Sequence, residues 1–379
     1  MPEYSIAVIP GDGIGKEVVP EGIKALEAAA EKAGVRLRLQ HFPWGCDYYV
    51  EHGRMMPEDA IERLRAFDAI YLGAIGDPAR VPDDISLRES ILKLRFELDQ
   101  FANVRPTRAL PGAPCPLAHV PPKEIDFVVV REATEGFYIG EGGRFGPGSR
   151  EFDGRVGLRE TFVVSDNIAL QTGVFSDVGC RRVMRYAFEL ARRRAGKRRV
   201  TSCTKTNALG HAMGLWDEVF REVAAGYPDI ASDYCYVDAL SMNLVLKPQA
   251  YDVIVADNLF GDIITDLASA LVGGLGFASG GNINPGGVSM FEPPHGSAPD
   301  IAGRGIANPI AAVLTAATMM EHLGEAGMAE SIWRGVADVV AAGGVRTPDM
   351  GGTARTQEVG DAVVAAIVSG GRRSAAGCV

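Results

Sequence analysis

Two aspartates four residues apart are the feature of the sequence that points most directly to chemistry. Asp262 and Asp266 follow a short apolar run, Tyr251 to Ala256, and precede a second one, Leu267 to Leu271. The pattern predicts a buried strand that passes into a helix, with both carboxylates on one helix face. Like charges at this spacing repel unless solvent or a cation lies between them. At the carboxyl end of a strand such oxygens suit Mg²⁺ or Mn²⁺, and a pair of solvated surface acids is the alternative.

Three arginines that accompany predicted strands are candidates for binding carboxylates, because the guanidinium group pairs with a carboxylate through two hydrogen bonds. They are Arg95, Arg105 and Arg131. Arg131 is the strongest case because it ends a buried strand, although any one of the three could instead be an ordinary salt-bridge partner. Tyr138 and Lys205 also follow strands, and each could donate or accept a proton or simply line a rim.

Two glycine-rich segments could line a nucleotide site. Gly11 to Gly15 follows the first strand, but it matches the dinucleotide fingerprint only in part, which favours a tight turn beside a cleft. The segment from His295 to Gly303 is the better candidate, since exposed backbone N–H groups and hydroxyls can hold phosphate oxygens. Within it, Asp300 could accept a ribose 2′-hydroxyl and would repel a 2′-phosphate, which favours NAD over NADP.

Composition excludes several classes of protein. The chain has 379 residues, 47% of them hydrophobic, enough for two domains. A net charge of -10 gives nucleic acid little reason to bind. No apolar run is long enough to span a membrane, and no signal peptide is evident. Six scattered cysteines without metal-binding spacing predict free thiols in a reducing cytoplasm.

Strand and helix patterns alternate along the chain and predict a mostly parallel α/β sheet. Among them are a strand from Ser5 to Ile9 and helices from Pro57 to Phe67 and from Val178 to Arg194. From Glu135 to Asp166 the pattern changes to glycine-rich residues that end in a strand-like stretch, Val156 to Val164. This change predicts a protruding hairpin arm. An arm of this kind cannot bury itself, so a partner subunit is expected to cover it, with a flexible lid as the alternative.

Five motifs in matching order give the chain a resemblance to the isocitrate/isopropylmalate dehydrogenase family of β-decarboxylating dehydrogenases. The motifs are Ile9–Gly15, Leu94–Pro106, Val130–Gly136, Asn258–Gly276 and Glu292–Asn308. The resemblance implies a two-domain open α/β fold. We expect residues 1–100 with 273–379 to form the nucleotide-side domain, and residues 101–272 to form a second domain whose arm, about 138–166, joins two subunits into a homodimer.

The resemblance also implies roles for the candidate residues. The substrate would be a (2R)-malate with a variable group at C3, oxidised by NAD and then decarboxylated with Mg²⁺ or Mn²⁺ bound, and K⁺ is a further candidate cofactor. Asp262 and Asp266 would bind the metal with Asp238 of a partner subunit. Arg95, Arg105 and Arg131 would bind carboxylates, Lys205 of a partner would be the base, and Tyr138 the acid. The implied nucleotide site comprises His295, Gly296, Ser297, Ala298, Asp300, Ile301 and Asn308.

Fewer residues indicate which substrate of the family the protein would take. Segments around Trp44–Tyr49 and His52–Pro57, and the short connection Gly76–Leu87, resemble the tartrate/D-malate dehydrogenase branch. Ile91 and Leu92 would face the C3 substituent with apolar surface, as in 3-isopropylmalate dehydrogenases. Arg88, where the tartrate branch is expected to have tryptophan, could reach a third anionic group, as an isocitrate-like or homoisocitrate-like substrate would need. A non-catalytic regulatory subunit is the remaining alternative.

Overall fold

The computed structural model describes residues 1–147, 151–153, 159–161 and 167–370, in which strands and helices alternate. The strands are β1 (Glu3–Gly11), β2 (Arg36–His41), β3 (Ala69–Ala74), β4 (Ala102–Arg108), β5 (Asp126–Glu132), β6 (Gly136–Phe145), β7 (Glu151–Asp153), β8 (Arg159–Thr161), β9 (Ile168–Val174), β10 (Arg199–Thr204), β11 (Ala231–Tyr236), β12 (Val253–Ala256), β13 (Gly280–Ile283) and β14 (Ser289–Glu292). The helices are α1 (Gly15–Ala33), α2 (Cys46–His52), α3 (Ala60–Leu64), α4 (Asp83–Leu87), α5 (Lys93–Glu97), α6 (Asp177–Arg194), α7 (Ala212–Ala225), α8 (Val237–Leu246), α9 (Asn258–Leu271), α10 (Ile310–His322), α11 (Ala326–Ala342) and α12 (Thr356–Ser369).

Contacts within the chain divide it into two compact units. Unit 1 comprises residues 1–128, 245–250 and 265–379, and unit 2 comprises residues 129–244 and 251–264. Helix α9 crosses the division after Ile264. The domain boundaries expected from the sequence, after residues 100 and 272, stay a prediction.

Unit 1 contains strands in the order β4-β13-β14-β3-β1-β2. The pairs β1–β2, β1–β3 and β3–β14 are parallel, and β13 runs antiparallel to both of its neighbours. Residues Ile6 to Ile9 of β1 are all buried, because a parallel sheet carries helices on its faces. Helix α10 is buried along almost its whole length, and each large apolar side chain removed from water stabilises the fold by about 1.5–3 kcal/mol.

Unit 2 contains the strand order β11-β10-β12-β5, in which β10 is parallel to β11 and β12. Its strands end where the segments that carry the candidate residues begin: Arg131 lies in β5, Lys205 follows β10, and α9 follows β12. Together the two units confirm the predicted α/β fold with a large parallel sheet.

The segment predicted to form an arm folds as antiparallel strand pairs. β6 pairs with β9, with Phe145 opposite Ile168 and an irregularity between Gly136 and Glu141. β7 pairs with β8. Of the strand-like stretch from Val156 to Val164, only the part in β8 is described, and the rest lies outside the described residues.

Two further features bear on the expectations from composition. Among the helices of the described ranges, none is long and apolar enough to cross a membrane. The cysteines at positions 46, 115, 180, 203 and 235 form no disulfide within the described ranges, and Cys378 lies outside the described residues.

Candidate active site

A buried arginine organises the candidate site of unit 2. Arg131 is 2% exposed. Its Nε and Nη2 atoms donate to Oδ1 of Asn258 at 3.0 and 2.6 Å, and its Nη1 atom donates to Oδ1 of Asp262. Asn258 in turn donates to the backbone carbonyl of Glu135 at 2.9 Å. A guanidinium this deeply buried would cost several kcal/mol if unpaired, so these partners at the start of α9 hold both the charge and the strand end in place.

Tyr138 joins the same cluster. Its hydroxyl donates to Oδ2 of Asp262 at 2.7 Å, and the guanidinium carbon of Arg131 lies 5.0 Å from the centre of its ring. Burial raises the pKa of Tyr138, and the hydrogen bond to the Asp262 carboxylate raises it further, while Arg131 opposes both effects. The phenol is therefore held in its protonated form at neutral pH, which is the state a proton donor needs.

Asp266 lies one helical turn beyond Asp262 on α9. Asp266 is exposed and Asp262 is half-buried, whereas Ile264 and Ala268 of the same helix are fully buried. The two carboxylates therefore occupy the face of the helix opposite its apolar contacts, as the spacing predicts. Across the ranges that the structure describes, no three His, Cys, Asp or Glu side chains come together as a metal site within one chain.

Lys205 and Asp238 form a second group in unit 2. Lys205 follows β10, Asp238 lies in the first turn of α8, and the Lys205 Nζ atom is 2.9 Å from Oδ1 of Asp238. The Lys205 hydrogen bond lowers the pKa of the Asp238 carboxyl. The third predicted metal ligand is thus paired with the predicted base in the same chain, and both keep part of their surface in solvent.

Two carboxyl groups near Arg131 are buried. Burial raises the pKa of Asp257 to about 6, against hydrogen bonds from the backbone N–H groups of Phe260 and Leu259 and the charge of Arg131. Burial also raises the pKa of Glu132 to about 6, although Thr134 and Glu135 donate to it. Asp257 accepts the N–H of Phe260 at 3.1 Å and so caps the start of α9, the helix that carries Asp262.

The other two arginines lie in unit 1, and both are buried. Arg95, in α5, donates from Nη2 to Oε1 of Glu292 at 3.0 Å, and each side chain is 8% exposed. The Nε atom of Arg95 is buried without a hydrogen-bond partner among the described residues. Arg105, in β4, donates from Nε to Oδ1 of Asn103 at 3.0 Å.

The glycine-rich turn after β1 packs directly against the predicted nucleotide segment. Ile14 donates its N–H to the carbonyl of Ser297 at 2.8 Å. Gly13 has φ +53, and a Cβ at this position would overlap the same carbonyl oxygen. Only glycine accommodates both this conformation and this approach. Ile301 and Ala298 pack on Ile14 and Val18 of the same region.

The remaining nucleotide-site candidates lie along the same part of unit 1. Asn308, 7% exposed, donates to Oδ2 of Asp349 at 3.0 Å and accepts the N–H of Ile310. His295 bonds through Nδ1 to the carbonyl of Gly296 at 2.8 Å, and its Nε2 atom is buried with no partner in the described ranges. Burial lowers the pKa of His295, which keeps its imidazole neutral. Gly296 and Asp300 are exposed, and Ser297 is buried.

The three residues expected to face the C3 substituent have different environments. A π-helical turn, Arg88–Leu92, separates α4 from α5; such turns are frequent at functional sites. Arg88 is exposed, Ile91 packs against an apolar core cluster, and Leu92 is 8% exposed. Ser90 is buried within this turn and donates to the carbonyl of Ser86.

The match of the sequence to a protein-family model decides the family of the chain. The model for "Isocitrate/isopropylmalate dehydrogenase" matches residues 5–363. The chain belongs to this family. The membership confirms the resemblance and the predicted class of enzyme, a decarboxylating dehydrogenase that oxidises a hydroxy acid. Enzymes of the isocitrate/isopropylmalate dehydrogenase family typically use NAD or NADP and a divalent metal.

Individual relatives in the family resemble the chain over nearly its full length. It is 48% identical to the probable tartrate dehydrogenase/decarboxylase of Bacillus subtilis (strain 168), over 96% of this chain and 98% of that protein. It is 47% identical to the decarboxylating D-malate dehydrogenase of Escherichia coli (strain K12), with the same coverage. Among solved structures, isocitrate dehydrogenase from Methylococcus capsulatus superposes with a TM-score of 0.83 at 36% identity, covering 96% of this chain and 99% of that one.

Some residues of the site were not assigned a role from the sequence. Asn258 lies inside the motif used for the resemblance, and its position just before an acid-bearing helix was the available signal. Glu292 and Asn103 also lie inside motifs of the resemblance, but the contacts that they and Asp349 make could not be foreseen, because the partners lie in other elements of the chain. Glu17 of α1 is similar: its carboxylate accepts the N–H groups of Gly303 and Gly305 and so holds the end of the nucleotide segment.

Proposed function

We propose that the protein catalyses the NAD-dependent oxidative decarboxylation of a (2R)-malate-type hydroxy acid, of the tartrate/D-malate dehydrogenase type, with Mg²⁺ or Mn²⁺. The observation that carries the proposal is the cluster in which Asp262 binds both Arg131 and Tyr138. It joins a metal-ligand candidate, a carboxylate-binding candidate and a proton donor through direct hydrogen bonds. The names of the relatives favour tartrate or D-malate as the substrate.

The donor set fits a hard divalent cation. Asp262 and Asp266 present carboxylate oxygens from one face of α9, and such ligands are the ones that Mg²⁺ and Mn²⁺ prefer. Asp238 would add a third carboxylate. When bound, the cation would supply Lewis-acid polarisation of the C2 oxygen and its neighbouring carboxylate. A non-catalytic subunit is disfavoured, because a chain without turnover has no need for this set of acids beside a protonated tyrosine.

The side chains of this chain would then share the acid–base work. Arg95, Arg105 and Arg131 would bind the carboxylates of the substrate. Lys205 would take the proton from the C2 hydroxyl as the hydride leaves C2 for the nicotinamide that bound NAD would supply. Tyr138 would return a proton to C3 after CO₂ leaves, and its raised pKa keeps that proton available.

The nucleotide site proposed for NAD comprises His295 to Ile301 with Asn308. Asp300 is exposed, so its carboxylate is accessible to a hydroxyl group of a bound ribose. A 2′-phosphate would be repelled there, so NAD should be preferred to NADP. K⁺ remains a candidate activator. Free thiols at the described cysteines favour a reducing, cytoplasmic location.

Arg88 is the residue on which the choice of substrate depends. Its guanidinium is exposed at the π-helical turn, seven residues before Arg95, so it could pair with a polar or anionic group at C3. Ile91 and Leu92, by contrast, pack largely against the protein interior. This arrangement favours a small or polar C3 group over the isopropyl group.

A substrate panel tests the proposal. Purified protein with NAD and Mn²⁺ is offered D-malate, tartrate, 3-isopropylmalate and isocitrate, with L-malate as the stereochemical control. D-malate or tartrate should give the highest kcat/KM, chelator should abolish it, and L-malate should be inert. No turnover on any of the four acids would contradict the enzyme proposal. A clear preference for 3-isopropylmalate would assign the protein to the isopropylmalate branch of the family. A preference for NADP would contradict the role of Asp300.

A homodimer with shared active sites is part of the proposal. Helix α8 exposes Met242 and Leu246, and α9 exposes Ile263, each by more than half of its surface. Met242 and Leu246 lie one turn apart on α8 and therefore share a face, so this helix offers an exposed apolar strip that a partner would cover. Lys205 and Asp238 are paired with each other, as expected if both are presented together to a second copy.

Mixing two inactive variants tests whether sites are shared. If Lys205 and Asp262 of one site come from different chains, a heterodimer of Lys205→Ala and Asp262→Asn contains one intact site. Random exchange of subunits should then restore about a quarter of wild-type activity. Activity that stays at the level of the separate variants, although exchange is confirmed by mass, would contradict the shared site.

A further inference from the structure

A continuous chain of hydrogen bonds joins the two buried arginines of unit 1. Arg105 Nε donates to Asn103 Oδ1 at 3.0 Å, Asn103 Nδ2 donates to Asn282 Oδ1 at 2.8 Å, and Asn282 Nδ2 donates to Glu292 Oε1 at 2.8 Å. The same Glu292 oxygen accepts from Arg95 at 3.0 Å. Asn103 and Asn282 are completely buried.

The register of the adjacent strands β4, β13 and β14 brings the members of this hydrogen-bond chain together. Asn282 of β13 lies opposite Asn103 of β4 on one side and opposite Met290 of β14 on the other. Side chains two residues apart on a strand share a face, so Arg105 lies on the face of Asn103, and Glu292 on the face of Met290. Gly280, opposite Glu292, leaves room for the side chain of Arg105. A Cβ atom at this position would lie only 3.2 Å from the Cδ and Nε atoms of that arginine.

The two ends of the hydrogen-bond chain determine the orientation of the side-chain amides of Asn103 and Asn282. Arginine can only donate, so Asn103 must turn its oxygen toward Arg105 and its NH₂ group toward Asn282. Asn282 must then turn its own NH₂ group toward Glu292, which as a carboxylate can only accept. Each bond polarises the next in a buried environment, so all members are held in a single arrangement.

We propose that Asn103, Asn282 and Glu292 are positioning residues that fix the guanidinium groups of Arg95 and Arg105 relative to one another for a dicarboxylate substrate. The inference rests on the proposed function, in which both arginines bind carboxylates. The Nε atom of Arg95 is buried with no hydrogen-bond partner among the described residues, so one donor of this guanidinium is not used by the protein groups that hold it. None of the three positioning residues needs to touch the substrate.

Asn282→Leu interrupts the chain of hydrogen bonds in its middle and keeps both arginine side chains, which then lose their fixed relative position. A misplacement of about 1 Å at a reacting group can cost on the order of 100-fold, so we expect KM for D-malate to rise about tenfold or more. KM for NAD should change by less than about twofold. A general loss of structure would instead affect the KM of both substrates. The Kd of D-malate, measured by calorimetry with Mn²⁺ present, should rise by the same factor as KM, equivalent to about 1.4 kcal/mol.

Two other variants separate positioning from stability. Gln100→Leu is the matched control, since Gln100 is also a completely buried amide of unit 1, and it donates to the carbonyl of Val288 at 3.1 Å outside the chain. It should lower the thermal midpoint and leave KM for D-malate unchanged. Glu292→Gln keeps an acceptor oxygen for Arg95 and Asn282, so it should raise KM by less than about threefold, whereas Glu292→Leu should match Asn282→Leu.

The outcomes distinguish this inference from the proposed function. Equal Kd values for wild type and Asn282→Leu would overturn the positioning role, as would an equal effect of Gln100→Leu on KM. If Asn282→Leu does not fold, a Glu292→Gln variant with KM raised as strongly as Glu292→Leu overturns the role. Wild-type protein that binds D-malate without turning over any acid of the panel contradicts the proposed function alone, and protein that does neither contradicts both.

Discussion

Replacing Asp262 with asparagine should abolish metal-dependent turnover and leave the fold intact. The Asp262 carboxylate accepts from Arg131 and Tyr138, and its side chain is 40% exposed. An asparagine oxygen can still accept from Arg131, and the Tyr138 hydroxyl can reverse its role and accept from the new NH₂ group. The variant therefore loses mainly the attraction between two charges, one of which is partly screened by solvent. The free energy of unfolding should fall by about 1 kcal/mol or less.

The effect on catalysis should be much larger. A metal ligand contributes to charge stabilisation worth several kcal/mol in the transition state. Losing about 4 kcal/mol of it corresponds to a fall in kcat on the order of 1,000-fold. The assay follows NADH absorbance with D-malate across a titration of Mn²⁺, and Mn²⁺ binding is measured separately by electron paramagnetic resonance. Urea unfolding gives the stability of the same preparations.

Asp177→Asn is a suitable control for this experiment. Asp177 is a carboxylate of unit 2 that pairs with Arg181 at 2.6 Å and is similarly exposed. Its loss should change stability by a comparable amount and leave kcat and Mn²⁺ affinity unaltered. A rate for Asp262→Asn that equals the wild-type rate, or unaltered Mn²⁺ binding, would remove Asp262 from the metal site. A loss of several kcal/mol in stability would show that inactivity came from unfolding instead.

Three further changes test other parts of the site. Gly13→Ala places a Cβ against the carbonyl of Ser297, so KM for NAD should rise, KM for D-malate should not, and stability should fall by about 1 kcal/mol or more; unchanged KM for NAD would contradict the contact. Tyr138→Phe should lower kcat about 100-fold or more with little change in KM, because it removes the proton donor. Asp257→Asn should alter the pH dependence of urea unfolding. Ionisation of Asp257 costs free energy in the folded state only, so wild-type stability should fall relative to the variant as pH rises from about 4 to about 6, by up to about 3 kcal/mol. Parallel pH profiles would show that its pKa is not raised.

Elements with a strong apolar pattern could be predicted from the sequence. The strand expected at Ser5 to Ile9 and the helix expected at Val178 to Arg194 correspond to β1 and α6 within two residues. The helix expected from Pro57 to Phe67 is shorter, Ala60–Leu64, because the first residues form a turn in which Ala60 donates to the carbonyl of Pro57. Burial on one face gives a periodic signal, and the ends of elements depend on local hydrogen bonds.

Strands β13 and β14 could not be predicted in the same way. β13 has the sequence Gly-Gly-Asn-Ile, a composition unfavourable for a strand. It pairs with β4, about 180 residues earlier in the chain, and that pairing alone puts Asn282 opposite Asn103. Asp262, Tyr138 and Arg131 could each be proposed from the chemistry of their side chains, but their mutual hydrogen bonds depend on distances that only the fold determines.

The glycine-rich turn shows why a sequence motif needs its structural context. Gly11 to Gly15 resembles the part of a dinucleotide fingerprint in which glycine allows a phosphate to approach the backbone. In this fold the group that approaches Gly13 is the carbonyl of Ser297, which also accepts the N–H of Ile14. The requirement for glycine is the same, since a backbone atom must come where a side chain would lie, but the partner is another loop of the protein. The turn therefore supports the segment proposed to bind NAD, and we expect Gly13→Ala to weaken NAD binding by displacing Ser297.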